Sequence, residues 1–247
     1  QSDSWGEGDS LISLAAGHHK PSTAMQWAIA VADRVSSGLD RDSLGPEQQA
    51  NQTWKNYKQT RMMTICEQLS LDPNHSNQTI VKQTFGYPLS NLSPDYIFPL
   101  PVDRVVPGDD ASASSEYRTL FESFEIGLRQ LRHKDRFELW FEHFDSLLML
   151  HTAAVPSDRS GRVLPDVSLY DHSRATAALA VAIYGYHRSL GSLTADAVQS
   201  YADPKFLFVQ GDFQGIQSFI FSPIADTQRH RSKLLRGRSF AVSLMTE

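Results

Sequence analysis

The chain has 247 residues, of which 40% are hydrophobic, 10% aromatic and 21% charged, so general disorder is excluded. With 14 Gly and 12 Pro it is neither collagen-like nor low in complexity. A net charge of −5 excludes a uniformly basic nucleic-acid coat, though not a local basic site, and the single Cys66 excludes an internal disulfide framework.

The length allows one large domain or two modest ones. No run approaches the roughly 18 apolar residues of a membrane span, and no signal-peptide pattern is visible. The expectation is a soluble, cytoplasmic protein. The chain lacks an initiator Met, and Ser239–Glu247 reads as a helix cut while still apolar. Both features suggest a piece of a longer protein.

Gln1–Ser10 is polar, with Gly6 and Gly8, and reads as a flexible lead-in. Leu11–Ala16 is a short apolar run, followed by Gly17 and the pair His18-His19. Thr23 with Gln26 three residues on is a capping-box pattern. The helix it starts carries Met25, Ile29, Ala32 and Val35 and is expected to stop at Ser36-Ser37-Gly38. Residues 42–60 read as an exposed loop, and Met62–Leu69 as a short ordered segment. Prolines 73, 88, 94, 99, 101 and 107 suit extended segments and turns through 70–110, a linker packing against the helices.

Tyr117–Leu150 has the pattern of two helices, one carrying Phe121, Phe124 and Leu128, the other Leu139, Phe144 and Leu148. Val155–Val167 is a loop. Asp171–His187 is an Ala-rich helix whose small side chains suit a central position. Gly191–Pro204 reads as a polar connector and domain boundary. Phe206-Leu-Phe-Val209 has the continuous apolar character of a strand covered on both faces. A turn bracketed by Gly211 and Gly215 leads into a further helix.

Three constellations could carry chemistry. The first is His18, His19, Asp33 and His172. A carboxylate within an apolar helix is costly unless paired or bound to metal. Imidazole with carboxylate suits Mn, Fe, Ni or Zn ions. The plainer reading makes His172 a surface or capping residue and pairs Asp33 with Arg34. The second is Gly211-Asp-Phe-Gln-Gly-Ile-Gln217, where Asp212, Gly215 and Gln217 at a strand end could approach a nucleotide phosphate or its metal. A bare Gly turn is the alternative. The third is Arg229, Arg231, Lys233, Arg236 and Arg238, five cations within ten residues, suited to phosphate or nucleic acid. A solvated helix face explains the charge equally well.

Gly211-Asp-Phe-Gln-Gly-Ile-Gln-Ser-Phe-Ile-Phe221, followed by Lys233-Leu-Leu-Arg-Gly-Arg-Ser-Phe240, resembles the large signature subunit of type III CRISPR effector complexes at the opening of its first palm domain. Val167-Ser-Leu-Tyr-Asp-His-Ser-Arg-Ala-Thr-Ala-Ala-Leu-Ala180 is similar to the segment that closes that family's N-terminal nuclease domain. His18-His-Lys-Pro-Ser22, Ala32-Asp-Arg-Val-Ser-Ser-Gly-Leu-Asp-Arg41 and Leu92-Ser-Pro-Asp-Tyr-Ile-Phe-Pro99 are similar to its III-A branch.

The resemblance implies a mainly α, circularly permuted HD-type nuclease domain over 1–195. The start of an α+β, ferredoxin-like palm over 196–247 would follow. It implies metal-dependent cleavage of single-stranded DNA and, with further palm segments bearing a Gly-Gly-Asp-Asp motif, synthesis of cyclic oligoadenylates from ATP. It implies a divalent metal (Mn, Ni, Co or Mg), and as partners the other effector subunits, CRISPR RNA, target RNA and single-stranded DNA. His172 resembles the first His of the HD pattern, His18 or His19 the later one, and Asp33 the final Asp. No His-Asp dipeptide occurs in the sequence, and in the family that dyad lies before this chain begins. The first palm is usually the degenerate partner, so Asp212, Gly215 and Gln217 are expected near a nucleotide rather than as catalysts. An ordinary HD phosphohydrolase and an RNA-binding or structural subunit with a decayed nuclease site are the alternatives.

Overall fold

Residues 8–39, 57–68, 83–159, 164–211, 214–221 and 231–246 are described by the structure, a computed structural model. They fold mainly as helices, and no helix among them is long and apolar enough to cross a membrane. The chain divides into two compact units, Gln1–Phe206 and Leu207–Glu247.

Helix α1 spans Leu11–Gly17, capped by Ser10, whose hydroxyl accepts from the Ser13 N–H. Helix α2 spans Ala24–Leu39. Thr23 caps it by accepting the Gln26 N–H at 3.2 Å, while the Gln26 side chain reaches back to the Ser22 N–H at 2.8 Å. This is the expected capping box, displaced by one residue on the return bond. Gly17 permits that return: a Cβ there would stand 2.8 Å from Gln26 Cδ. The helix runs through Ser36-Ser37-Gly38 rather than stopping there. Ser36 is wholly buried, so it is a packing residue within the helix.

A 3-10 turn covers Ile65–Gln68, and Glu67 Oε1 accepts from the Thr84 and Phe85 N–H groups. The Pro-rich region forms a minimal antiparallel pair, β1 (Phe85–Gly86) and β2 (Leu100–Pro101), with Phe85 opposite Pro101. A one-turn helix, α3 (Val102–Val105), follows where only turns and extended chain were expected. The Leu92 N–H donates to the Leu150 carbonyl at 2.8 Å, tying this region to the helix that ends nearby.

Helix α4 (Asp110–Gln130) and helix α5 (Phe137–Thr152) are the two helices expected from the apolar pattern. They approach closely at Gly127, where a Cβ would meet Leu147 Cδ1 at 2.5 Å. Leu89, Leu120 and Val155 form a small core, with Tyr117 and Leu169 against it. Arg61 is buried with its guanidinium over the Tyr117 ring, paired with Glu116 and bonded to the Lys58 and Thr60 carbonyls.

Helix α6 spans Leu169–Ser189 and helix α7 spans Ala195–Gln199. The main core joins α2, α6 and α7 through Ala28, Val31, Ala32, Leu179, Ile183 and Val198, with Trp27, Val35 and Phe206 packed against them. Residues 28, 31, 32 and 35 share one helical face, and their mostly small side chains let α6 come close. The Ala-rich helix is central along Leu179 and Ile183, but Ala177 and Ala178 face solvent.

Two expectations need correction here. The stretch from Gly191 to Pro204 is no plain connector, because α7 lies within it and Val198 is fully buried. The first compact unit runs to Phe206, and both Val198 and Phe206 belong to its main core. The run Phe206-Leu-Phe-Val209 is not a covered strand: Leu207 is 84% and Val209 83% exposed. A strand needs a neighbour for its ladder, and the second unit contains no strand among the described residues. That unit shows helix α8 (Ile216–Phe221) and helix α9 (Arg231–Thr246).

Candidate metal centre on the seam between α2 and α6

The first turn of α6 is held firmly. Ser168 accepts the Asp171 N–H at 3.0 Å, and its hydroxyl donates to Asp171 Oδ2 at 2.6 Å. Tyr170, buried on the opposite side, donates to Asp145 Oδ2 at 2.9 Å. Burial and the Asp145 carboxylate hold the Tyr170 phenol above its ordinary value. His172 is therefore presented from a rigid helix start.

His172 Nε2 lies 3.0 Å from Asp33 Oδ1. The imidazole is 14% exposed and the carboxylate 34%. Asp33 is thus less buried than its apolar helix suggests: water reaches one side of it. Arg34 is not its partner. That guanidinium lies over the Trp27 ring instead, 5.3 Å from the centroid. The other ring nitrogen, Nδ1, lies 3.2 Å from Ser36 Oγ, which is also 3.4 Å from the His172 carbonyl oxygen.

The α2–α6 seam thus gathers Asp33, Ser36 and His172. Ser36 was missed as a site residue because Ser-Ser-Gly reads as a helix stop. Its signal was its position three residues after Asp33, which puts both on one side of α2.

The two leading histidines lie elsewhere on the chain's path. His18 follows α1, with Nδ1 at 2.7 Å from the Ala15 carbonyl oxygen, and its ring stands 4.0 Å from that of His19. No group of three or more His, Cys, Asp and Glu side chains that could hold a metal ion occurs among the described residues. The structure brings Asp33 and His172 together and does not bring His18 or His19 into a three-donor set with them. An imidazole nitrogen beside a carboxylate oxygen fits divalent-ion chemistry, but as two donors of a set rather than a complete sphere.

In the second unit, Gly215 has φ +76° immediately before α8, a conformation that suits glycine, and Gln217 is exposed on α8. Asp212 lies outside the described residues. Lys233 and Arg236 are exposed on α9, three residues apart and on one side of it. Arg238 donates to the Ile220 carbonyl at 3.4 Å and lies over the Phe219 ring. Arg229 lies outside the described residues. Arg231 opens α9.

Residues 205–247 match the family model for Csm1 subunit domain B. Over 97% of its length the chain is 26% identical to the "CRISPR system single-strand-specific deoxyribonuclease Cas10/Csm1 (subtype III-A)" of Methanocaldococcus jannaschii, covering 31% of that protein. The protein of the same name from Streptococcus thermophilus is 29% identical over 88% of the chain, and 27% of its own length is covered. That from Enterococcus italicus is 26% identical over 88%, with 28% covered. The chain therefore spans about a third or less of these curated relatives. The near full-length similarity and the domain B match agree with the motifs at Gly211–Phe221 and Val167–Ala180, and together they support a Cas10/Csm1-type large subunit.

Proposed function

We propose that this chain supplies part of the metal centre of a single-strand-specific deoxyribonuclease within a type III-A CRISPR effector. The observation that carries this reading is the Asp33–His172 pair, a nitrogen and an oxygen donor 3.0 Å apart on rigid helices. The relatives' shared name supplies the reaction class.

In this reading Asp33 and His172 are two ligands of a divalent ion, Mn, Ni, Co or Mg. His18 or His19 and an HD dyad elsewhere in the protein would complete the set. A bound ion would acidify a water for attack on phosphorus and offset charge on the phosphoryl oxygens. The chain's own residues orient and hold: Ser168 fixes the α6 start, Ser36 contacts the ring, and the apolar seam sets the spacing. The solvent-facing side of Asp33 leaves an approach for a strand.

The second unit belongs to the same proposal as the opening of an ATP-binding palm that takes part in cyclic oligoadenylate synthesis. The domain B match and the Gly211–Phe221 motif support it. Other effector subunits, CRISPR RNA and target RNA would be its partners.

The test is the Asp33→Ala variant of the whole protein in its effector complex. Metal-dependent cleavage of single-stranded DNA should be lost and cyclic oligoadenylate synthesis kept. Persistent cleavage refutes the ligand assignment. The two-donor geometry also favours a second reading, a structural subunit with a decayed nuclease site. Manganese titration of the whole protein separates the two, since a decayed centre binds none.

A further inference from the structure

We propose that Ser36 is a positioning residue for His172, holding the ring through a hydroxyl able both to donate to Nδ1 and to accept from it. The proposal rests on the metal-centre reading above and deepens it.

Ser36 is wholly buried on α2, with Oγ 3.2 Å from His172 Nδ1 and 3.4 Å from the His172 carbonyl oxygen. A neutral imidazole carries one proton, on one nitrogen or the other. With the proton on Nε2, that N–H donates to Asp33 Oδ1, and Nδ1 accepts from the Ser36 hydroxyl. With the proton on Nδ1, that N–H donates to Ser36 Oγ, and the hydroxyl proton turns to the His172 carbonyl. The Nε2 lone pair then faces Asp33 Oδ1, two lone pairs 3.0 Å apart, which is favourable only around a shared cation.

The first arrangement suits a metal-free seam, and the second is what a ligand requires. A hydroxyl satisfies Nδ1 in both. A carbonyl could only accept and an amide N–H could only donate, so either would commit the ring to one tautomer. The ring can then exchange a proton for a metal at Nε2 without leaving its place. Metal-bound histidines usually donate their second nitrogen to such a partner, and losing it costs roughly 10–100-fold in affinity. The competing explanation is packing alone: α6 passes so close that only a small side chain fits at position 36.

Nitrogen NMR of the whole protein labelled with 15N-histidine separates the two, with zinc as a diamagnetic probe and His172→Gln to assign the signals. In the wild-type protein the His172 ring should be protonated on Nε2 without metal and on Nδ1 after zinc. Ser36→Ala should give mixed tautomers without metal and weaken zinc binding about 10–100-fold. Ser36→Cys fills the site with a slightly larger group that bonds weakly, so it should behave like Ser36→Ala while leaving no cavity. Unchanged nitrogen shifts and unchanged zinc affinity in Ser36→Ala would overturn the proposal, as would wild-type behaviour in Ser36→Cys. A wild-type His172 ring indifferent to zinc would refute the metal reading. The metal-free comparison would still decide whether Ser36 holds the ring.

Discussion

His172 Nε2 stands 3.0 Å from Asp33 Oδ1 although 139 positions separate the two residues. The closeness follows from packing. Ala28 and Ala32 on α2 let α6 approach, and Leu179 and Ile183 on α6 bury themselves against that face. Site geometry is therefore a product of the core rather than of local chain direction.

A double-mutant cycle with Asp33→Asn and His172→Gln measures the pair. Asp33 is about a third exposed, so solvent screens the interaction, and a coupling of roughly 0.2–1 kcal/mol in urea unfolding is expected. Zero coupling would mean that the contact is not made in solution. In the whole protein, added manganese should raise the unfolding midpoint of the wild type and leave that of the double variant unmoved.

Much of this was legible in the residues. The capping pair Thr23 and Gln26, the apolar face of α2 and the two helices within 117–150 follow from spacing that any amphipathic helix must show. The pairing of Asp33 with His172 was an expectation from residue type and resemblance, since no local pattern brings together residues so far apart. Helix α7 was hidden because Thr194–Gln199 is short and polar, and only Val198 turns inward. Phe206–Val209 misled for the opposite reason: apolar content alone does not make a strand, which also needs a partner. Lys205 carried no warning at all, because a lysine in a sequence reads as surface.

Lys205 is 7% exposed, and its ammonium donates to the Ala197 carbonyl at 3.0 Å, the Val198 carbonyl at 2.7 Å and the Ser200 carbonyl. These are groups left over at the C-terminal end of α7, where a cation is also favoured by the helix dipole. Burial holds its pKa below the ordinary lysine value, with Asp203 opposing the shift. Lys205→Met keeps the apolar stem but orphans three carbonyls, so a loss of about 2–4 kcal/mol in urea unfolding is expected. A loss below about 0.5 kcal/mol would show that water replaces the ammonium freely.

His187 lies in the same core, with Nδ1 3.1 Å from Ser192 Oγ. Burial, and then the Lys205 charge, push its pKa down, while Asp203 and Ser192 push it up. The folded state thus binds its proton more weakly than the unfolded chain, whose imidazole titrates near its ordinary value of 6.5. Its contribution is complete above that value and is lost as pH falls through it toward the lower folded pKa. Urea unfolding at pH 5, 6, 7 and 8 should show stability falling on the acid side, and His187→Gln should flatten that part of the profile. Equal slopes in both proteins would place the acid sensitivity elsewhere.

Gly191 closes α6 with φ +65°. The Ser192 N–H donates to the His187 carbonyl at 2.9 Å and the Gly191 N–H to the Arg188 carbonyl at 3.2 Å, the paired bonds of a Schellman end. This turn also carries Ser192 back over His187, so it serves the core as well as the helix. No atom lies within 4 Å of where a Cβ would stand, so Gly191→Ala brings backbone strain without a clash. The expected loss is about 1–2 kcal/mol, or roughly 2–8 °C in Tm. Gly191→Asn should lose less, because asparagine tolerates the left-handed region. Equal losses for Ala and Asn would mean that the strain is not what the glycine relieves.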